Sequence, residues 1–429
     1  MNNIEGKPIP SEWSVAPLKY LGEVENSGIW GEDDPFPGSI EVKIPTTRTI
    51  RNDGTFEVDK MDVRHINQDD FRKYICKTGD IIIVKSSGSS ENVISGKCAL
   101  VLDKQDLSFG NFLMRFRPNK SLLEPNFIFY FLTSNVTRQR VLKMVSSTTY
   151  PNLKVDEYVT SKVPIPNLKE QRLISSYLNQ KTSQVDKLLY NLQTKINLLK
   201  EQSTSLIKHY VTKGLDPNVE MKNSGVEQIG DIPKHWKIQK ISTLYSESSI
   251  RGHKNEENLS VFRDFGVVRR KDHENHNVLS EDLSNYKLVH QGDLVLNKMK
   301  TWMGSLGVSD YHGIVSPAYY VLRPKFDFFS GYLHLLLRSK IYIDQYASAS
   351  KGVRPAQWDL SLDDFKSLKI ILPPIKEQKE IYKELSQQLD KNRRLSELIS
   401  QKILKLKEYR QALITSAVRG QLRITENMI

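Results

Sequence analysis

A segment that opens Pro-x-x-Lys-Glu-Gln and continues as a long heptad-patterned stretch occurs twice, and this repetition constrains the fold more than any other feature. The first copy starts at Pro166-Asn167-Leu168-Lys169-Glu170-Gln171, the second at Pro373-Pro374-Ile375-Lys376-Glu377-Gln378. Sliding one onto the other carries Leu178, Val185, Leu192, Leu199 and Leu206 onto Leu385, Asn392, Ile399, Leu406 and Leu413. It also carries Ile174, Leu188 and Ile196 onto Ile381, Leu395 and Ile403. An apolar residue at every seventh position predicts a coiled-coil seam. Two copies of one seam can bury each other, with Asn392 as a polar interruption that sets register. Leu189 and Leu198 are expected to lie outside the seam, exposed.

The repeat continues outside these helices. Pro10-Ser11-Glu12-Trp13 matches Pro233-Lys234-His235-Trp236. Thr78-Gly79-Asp80-Ile81-Ile82-Ile83-Val84-Lys85 matches Gln291-Gly292-Asp293-Leu294-Val295-Leu296-Asn297-Lys298, and Phe116-Arg117-Pro118 matches Leu322-Arg323-Pro324. The anchors keep their order while the sequence between them differs, so the chain reads as a doubled unit. Each half holds a variable part of roughly 150 residues, an ordinary domain size, followed by one long helix. Short β-rich runs, Ile81–Val84 and Ala99–Leu102, are bounded by Gly, Asp and Ser. Helical stretches are expected at Asn126–Leu132 and Gly331–Leu337, and strands at Val163–Pro166 and Lys369–Leu372.

The predicted fold class is α+β: two mixed α/β globular parts separated by two long antiparallel coiled-coil helices, related by a pseudo-two-fold. The expected divisions are 1–166, the helix 167–214, a linker with the second globular part at 215–373, and the helix and tail 374–429. Asn167-x-x-Glu170 predicts a capping box, with Glu170 reaching back to the Asn167 N–H; Pro374 denies the second helix that cap. Gly214 and Gly420 are the expected C-terminal stops. About 44 residues at about 1.5 Å each give a rod of roughly 65 Å. The antiparallel sense follows because domain termini tend to lie together, so the second globular part should join neighbouring helix ends. Ile4–Trp13 resembles the end of the Lys213–Trp236 linker and is expected to dock beside the end of the second helix.

Charge supplies a partner class. Lys and Arg number 62 against 50 Asp and Glu, a net +12, which favours an anionic polymer. The two cysteines, Cys76 and Cys98, make no disulfide scaffold. No apolar run is long enough to span a bilayer, and the first residues lack a basic, apolar leader, so a cytoplasmic location is expected.

No catalytic motif is present. The sequence lacks an Asn-Pro-Pro-aromatic motif, a glycine-rich cofactor loop and a phosphate-cradling Gly-x4-Gly-Lys-Ser/Thr. The acidic pairs Asp33-Asp34, Asp69-Asp70 and Asp363-Asp364 read as solvated loops. His273 and His276 lack a third ligand, so no metal site is assigned. The polar loops after the Gly-Asp strands carry more information. Lys85, Ser86, Ser87 and Ser89 follow the first, and Asn297, Lys298, Lys300 and Trp302 close the second. Such side chains can supply phosphate and base-edge contacts. A second loop pair, Ser146–Asn152 and Ser350–Trp358, adds Tyr150, Asn152 and Arg354. Arg48, Arg51, Arg251, Arg269, Arg270 and Lys271 complete the candidate DNA-binding set.

The doubled layout and both Pro-x-x-Lys-Glu-Gln starts resemble the specificity subunit of type I restriction–modification systems. So do Lys213-Gly214-Leu215-Asp216-Pro217-Asn218-Val219, Ile229-Gly230-Asp231-Ile232-Pro233-x-x-Trp236, and Asn297-Lys298-Met299-Lys300-Thr301-Trp302 followed by Val315-Ser316-Pro317-Ala318-Tyr319. The resemblance implies a non-catalytic protein. Its globular parts would be target recognition domains, each reading half of a split double-stranded DNA sequence, and its helices a spacer and docking surface. The implied partners are two modification (methyltransferase) subunits using S-adenosylmethionine and two restriction (motor-nuclease) subunits using ATP and Mg2+, with no cofactor held by this chain. Two other classes compete: a self-contained DNA-modifying enzyme with unfamiliar motifs, and a DNA-free coiled-coil scaffold.

Overall fold

The computed structural model describes residues 3–429 except 5, 52, 87–91, 103–105, 146–150, 274–281 and 353–357. The chain forms two compact units, one of residues 1–192 with 401–429, the other of residues 193–400. Both long helices, Leu168–Lys213 and Ile375–Val418, contribute a segment to each unit.

In the first unit a four-stranded antiparallel sheet runs in the order Gly22–Glu25, Leu113–Pro118, Ile81–Val84, Cys98–Leu100. Ile81–Val84 is buried on both faces, which explains its unbroken apolar sequence rather than an alternating one. The helix Pro125–Thr133 packs against this sheet through Phe127, Ile128 and Phe131, all essentially inaccessible. Each such side chain contributes about 1.5–3 kcal/mol by leaving water. The expected strand at Val163–Pro166 is Lys162–Ile165, paired with Ser14–Pro17.

The second unit repeats this order: Tyr245–Ser248, Tyr319–Pro324, Leu294–Asn297, Leu306–Val308. Lys237–Lys240 pairs with Lys369–Leu372, and the helix Ser330–Leu337 buries Tyr332, Leu333, Leu336 and Leu337.

The repeated anchors form the framework. Gly79 and Gly292 turn the chain at φ of +97° and +90°, so that Asp80 and Asp293, each 1% exposed, point inward. Asp80 accepts from Arg117 Nε and Nη2, both at 2.8 Å, and from the Lys77 N–H at 2.7 Å. Asp293 accepts from Arg323 at 3.4 Å and from the His290 N–H at 2.8 Å. Opposite charge at fixed places in both halves was the sequence signal for these pairs.

The Lys-Glu-Gln starts are joints between helix and globular part, and one expectation fails there. Asn167 Oδ1 caps the Glu170 N–H at 3.0 Å. Glu170, however, accepts from the buried Trp13 Nε1 at 3.1 Å. A long-range indole donor has taken the carboxylate from the local capping box. In the second unit Glu377 accepts from Trp236 Nε1 at 3.0 Å and pairs with His235 Nε2 at 2.8 Å. Gln171 accepts from the Glu124 N–H and donates to the Pro166 and Leu122 carbonyls; Gln378 accepts from Phe329 N–H and donates to Pro373.

Within each unit the helices pair antiparallel. In the first, Arg410 makes a bidentate pair with Asp186 at 2.9 and 3.1 Å, while Lys169 meets Glu426 beyond the second helix. In the second, Asn392 Nδ2 donates to Ser203 Oγ and Gln202 Oε1, and Gln388 donates to Tyr210. Leu178, Val185, Leu199, Leu385, Ile399 and Leu413 are buried; Leu192, Leu206, Asn392 and Leu406 are half-buried. The second row of the first helix's seam is Thr182, Leu189, Ile196, Ser203 and Tyr210. Leu189 is therefore half-buried, against expectation, and Leu188 is exposed; Leu198 is exposed as expected. Adjacent leucines differ by about 100° around a helix, so one position exchanges core for water.

Both helices stop at left-handed glycines, Gly214 at φ +74° and Gly420 at +68°. Gly214 lies against Trp236 and Pro233, and Gly420 against Pro10 and Trp13. The N-terminal segment thus docks beside the second helix's end, as its likeness to the linker implied.

Candidate nucleic-acid interface

In the first unit the Ile81–Val84 strand delivers Lys85 and Ser86 to the surface. Ser86 bridges Asn152 in antiparallel fashion, and the Lys85 carbonyl accepts from Leu153 N–H at 2.7 Å. Two loops separated in sequence therefore meet, with Asn152 exposed at the junction. Lys85 is half-buried and donates through Nζ to the carbonyl of the exposed Asn26, and partial burial lowers its pKa from the ordinary lysine value. Ser87, Ser89 and Tyr150 lie outside the described residues. Arg48 is exposed on a turn closed by Thr46 and Thr49. Arg51 occupies a different loop, paired with Glu57 at 3.4 Å.

The second unit brings together the corresponding loops with different chemistry. Asn297 ends its strand, and its Oδ1 accepts from the Met299 N–H at 3.1 Å, shaping the turn that follows. Lys298 places its amine 4.8 Å from the Tyr320 ring centroid. Lys300 and Met299 are exposed. Trp302 donates to the Met299 carbonyl at 3.0 Å, and its ring meets Trp358 edge-on at 5.1 Å. Trp358 ends the second candidate loop, so an indole pair joins the two loops here where a backbone bridge does so in the first unit. Arg354 lies outside the described residues.

The Arg269-Arg270-Lys271 cluster is partly neutralised. Glu257 pairs with Arg269 at 3.0 Å and Lys271 at 2.6 Å. The Lys271 hydrogen bond, more than Arg269, holds the Glu257 carboxyl below its usual pKa. Arg269 also stacks 4.9 Å from the Tyr311 ring. Arg270 is half-buried, and its N–H donates to Asn258. Arg251 is exposed beside the left-handed Gly252. His273 packs its ring 4.7 Å from Phe265; His276 lies outside the described residues. Among the described residues no group of three His, Cys, Asp or Glu side chains is arranged to hold a metal. No helix among them is long and apolar enough to cross a membrane.

Arg117, Arg323 and Trp358 were absent from the sequence-derived set, as were Arg138 and Arg338. The last two carried no signal, because they occupy unmatched positions in the two halves.

The chain is a duplicated α+β protein whose two units place differently dressed loop pairs at the end of the same interior sheet strand. The family model for the type I restriction modification DNA specificity domain matches residues 10–200 and 250–405, and the chain belongs to that family. It is 25% identical over 398 residues to a putative type I restriction enzyme MjaX specificity subunit of Methanocaldococcus jannaschii, covering 88% of this chain and 87% of that one. It is also 25% identical over 354 residues to the EcoKI specificity subunit of Escherichia coli K12, covering 80% and 75%. Among solved structures, a chain from work on complex assembly and conformational transition of the type I R-M system matches with TM-score 0.68 at 17% identity, over 97% of this chain and all of that one. The HsdS subunit from Thermoanaerobacter tengcongensis matches with TM-score 0.51 at 16% identity, over 97% and 99%. The chain is thus a DNA specificity subunit of the type I restriction–modification class.

Proposed function

We propose that each unit reads a different half of one asymmetric, bipartite double-stranded DNA site, and that this chain performs no chemistry itself. The observation that carries the reading is the loop pair at the end of the same interior sheet strand in both units. Lys85, Ser86 and Asn152 gather in one, Lys300, Trp302 and Trp358 in the other. Equivalent placement with unlike side chains suits two heads reading unlike bases, because base edges are told apart by the donors and acceptors offered to them. Modest heads joined in one chain gain affinity through effective concentration. Two modification subunits would supply methylation with S-adenosylmethionine, and two restriction subunits cleavage with ATP and Mg2+, in the cytoplasm.

Replacing residues 236–370 with the equivalent part of a relative should change one half of the methylated sequence in host DNA, read at base resolution. A change in both halves would refute the division of labour. Binding should also weaken with salt, log affinity falling by about 0.9 per phosphate contact for each log unit. Methylation by the purified chain alone would instead make it an enzyme, and salt-independent binding without sequence preference a scaffold.

A further inference from the structure

Each unit seats the end of the loop that follows its Gly-Asp strand on a helix, and an arginine from the helical layer grips the carbonyls there. In the second unit Arg338, at the end of the Ser330–Leu337 helix, donates through Nη1 to the Leu306 carbonyl at 2.8 Å. The same nitrogen lies 3.4 Å from the Gly304 and Phe262 carbonyls, and Nη2 is 2.6 Å from that of Arg263. One guanidinium thus ties the loop of Lys300 and Trp302 to the turn that carries Arg263. The seat is close. Gly304 has φ +93°, and a Cβ there would come within 2.9 Å of Ile343 Cδ1.

The first unit has the same device at a position that does not match in sequence. Arg138, on the helix Asn135–Met144, donates to the Ser95 carbonyl at 2.8 Å and also to that of Val93. Gly96 has φ +78°, and a Cβ there would fall 2.6 Å from Val141 Cγ2. Ser95 Oγ in turn donates to the Pro151 carbonyl at 2.8 Å, linking this loop to the second one. Two halves whose sequences differ between the anchors each have a glycine seat and an arginine grip on one loop.

We infer that Arg338 and Arg138 are positioning residues for sequence readout, each fixing the reading loop of its own unit without itself touching a base or phosphate. The inference rests on the two-headed reading above. A guanidinium directed at main-chain carbonyls has its donors committed inside the protein, and carbonyl geometry is indifferent to the loop's side chains. The loop's residues can therefore change with the target while its shape is kept. A loop displaced by about 1 Å would misalign bidentate base contacts, each of which supports roughly five- to hundredfold discrimination.

The test uses the full chain assembled with its modification subunits and selection from a library of random duplexes. Arg338→Gln should relax base preference by about tenfold or more at one half-site only. The other half-site and the salt dependence should not change, since no phosphate contact is lost. Arg338→Lys should recover part of the preference through a single donor to the same carbonyls. Gly304→Ala should relax the same half-site without altering the arginine, which covers the case in which Arg338→Gln fails to fold. Arg138→Gln should relax the opposite half-site.

A salt slope shallower by about 0.9 would place Arg338 on a phosphate and overturn the inference. So would equal relaxation at both half-sites, or unchanged preference in both Arg338→Gln and Gly304→Ala. If the unaltered complex selects no two-part sequence, the functional reading fails first, and that result is distinct from a normal parent with unaffected variants.

Discussion

Removing the charge of the buried aspartate should cost the two units different amounts, although the sequence makes Asp80 and Asp293 look equivalent. Asp80 holds Arg117 through two 2.8 Å bonds, the Lys77 N–H at 2.7 Å, and lies 4.0 Å from Arg115, itself 6% exposed. In Asp80→Asn the buried Arg115 loses its counter-charge, and Arg117 is left with Glu23, 3.9 Å away and 78% exposed. Breaking a buried pair from one side costs about 3–5 kcal/mol, and Arg117, at 22% exposure, can recover some hydration, which points to the lower end, about 3 kcal/mol. Asp293 meets Arg323 only at 3.4 Å, and that arginine is 37% exposed. Asp293→Asn should therefore cost about 1 kcal/mol, the worth of an ordinary hydrogen bond. Unit-resolved amide hydrogen exchange by mass spectrometry can measure both, because it reports local opening where a single melting curve for two units would not. Strands Ile81–Val84 and Leu113–Pro118 should exchange roughly thirtyfold faster in Asp80→Asn, relative to their counterparts in Asp293→Asn, for a difference of about 2 kcal/mol. Equal acceleration in the two variants, or a larger effect from Asp293→Asn, would refute the argument from geometry and burial.

Burial and the nearby Arg338 lower the His334 pKa from 6.5 to about 4. Between those values the unfolded chain binds a proton that the folded second unit does not, so stability falls as pH drops. The loss should be about 3 kcal/mol, measured as the difference in unit-two exchange between parent and His334→Gln. Gly420→Ala should destabilise the first unit by more than about 2 kcal/mol, since its Cβ would lie 2.4 Å from Pro10 Cγ in a left-handed backbone. Gly230→Ala, also left-handed at φ +70° but with nothing within 4 Å, should cost about 1 kcal/mol, read from exchange in the second unit. Glu377→Gln should weaken the Trp236 joint by about 1–2 kcal/mol, seen as faster exchange at the start of the second helix and a shifted Trp236 indole N–H resonance.

The sequence alone determined the doubled architecture, the two helices and their glycine stops, and the strands that carry the candidate loops. These are written in periods and punctuation: heptads, Pro before the helix, Gly after it, and apolar runs bounded by turns. Tertiary structure decided which partner each polar group finds. Glu170 satisfies the local capping pattern, yet its carboxylate accepts from the distant Trp13 indole. Leu188 and Leu189 are equally apolar, yet the first is exposed and the second half-buried. Lys85 and Lys298 match in sequence, but one reaches the Asn26 carbonyl and the other a tyrosine face. Arg138 and Arg338 converge on the same task from unmatched positions. Short-range pattern fixes an element because its cause lies within a few residues; the direction of a long charged side chain is set by contacts across the fold, which no spacing encodes.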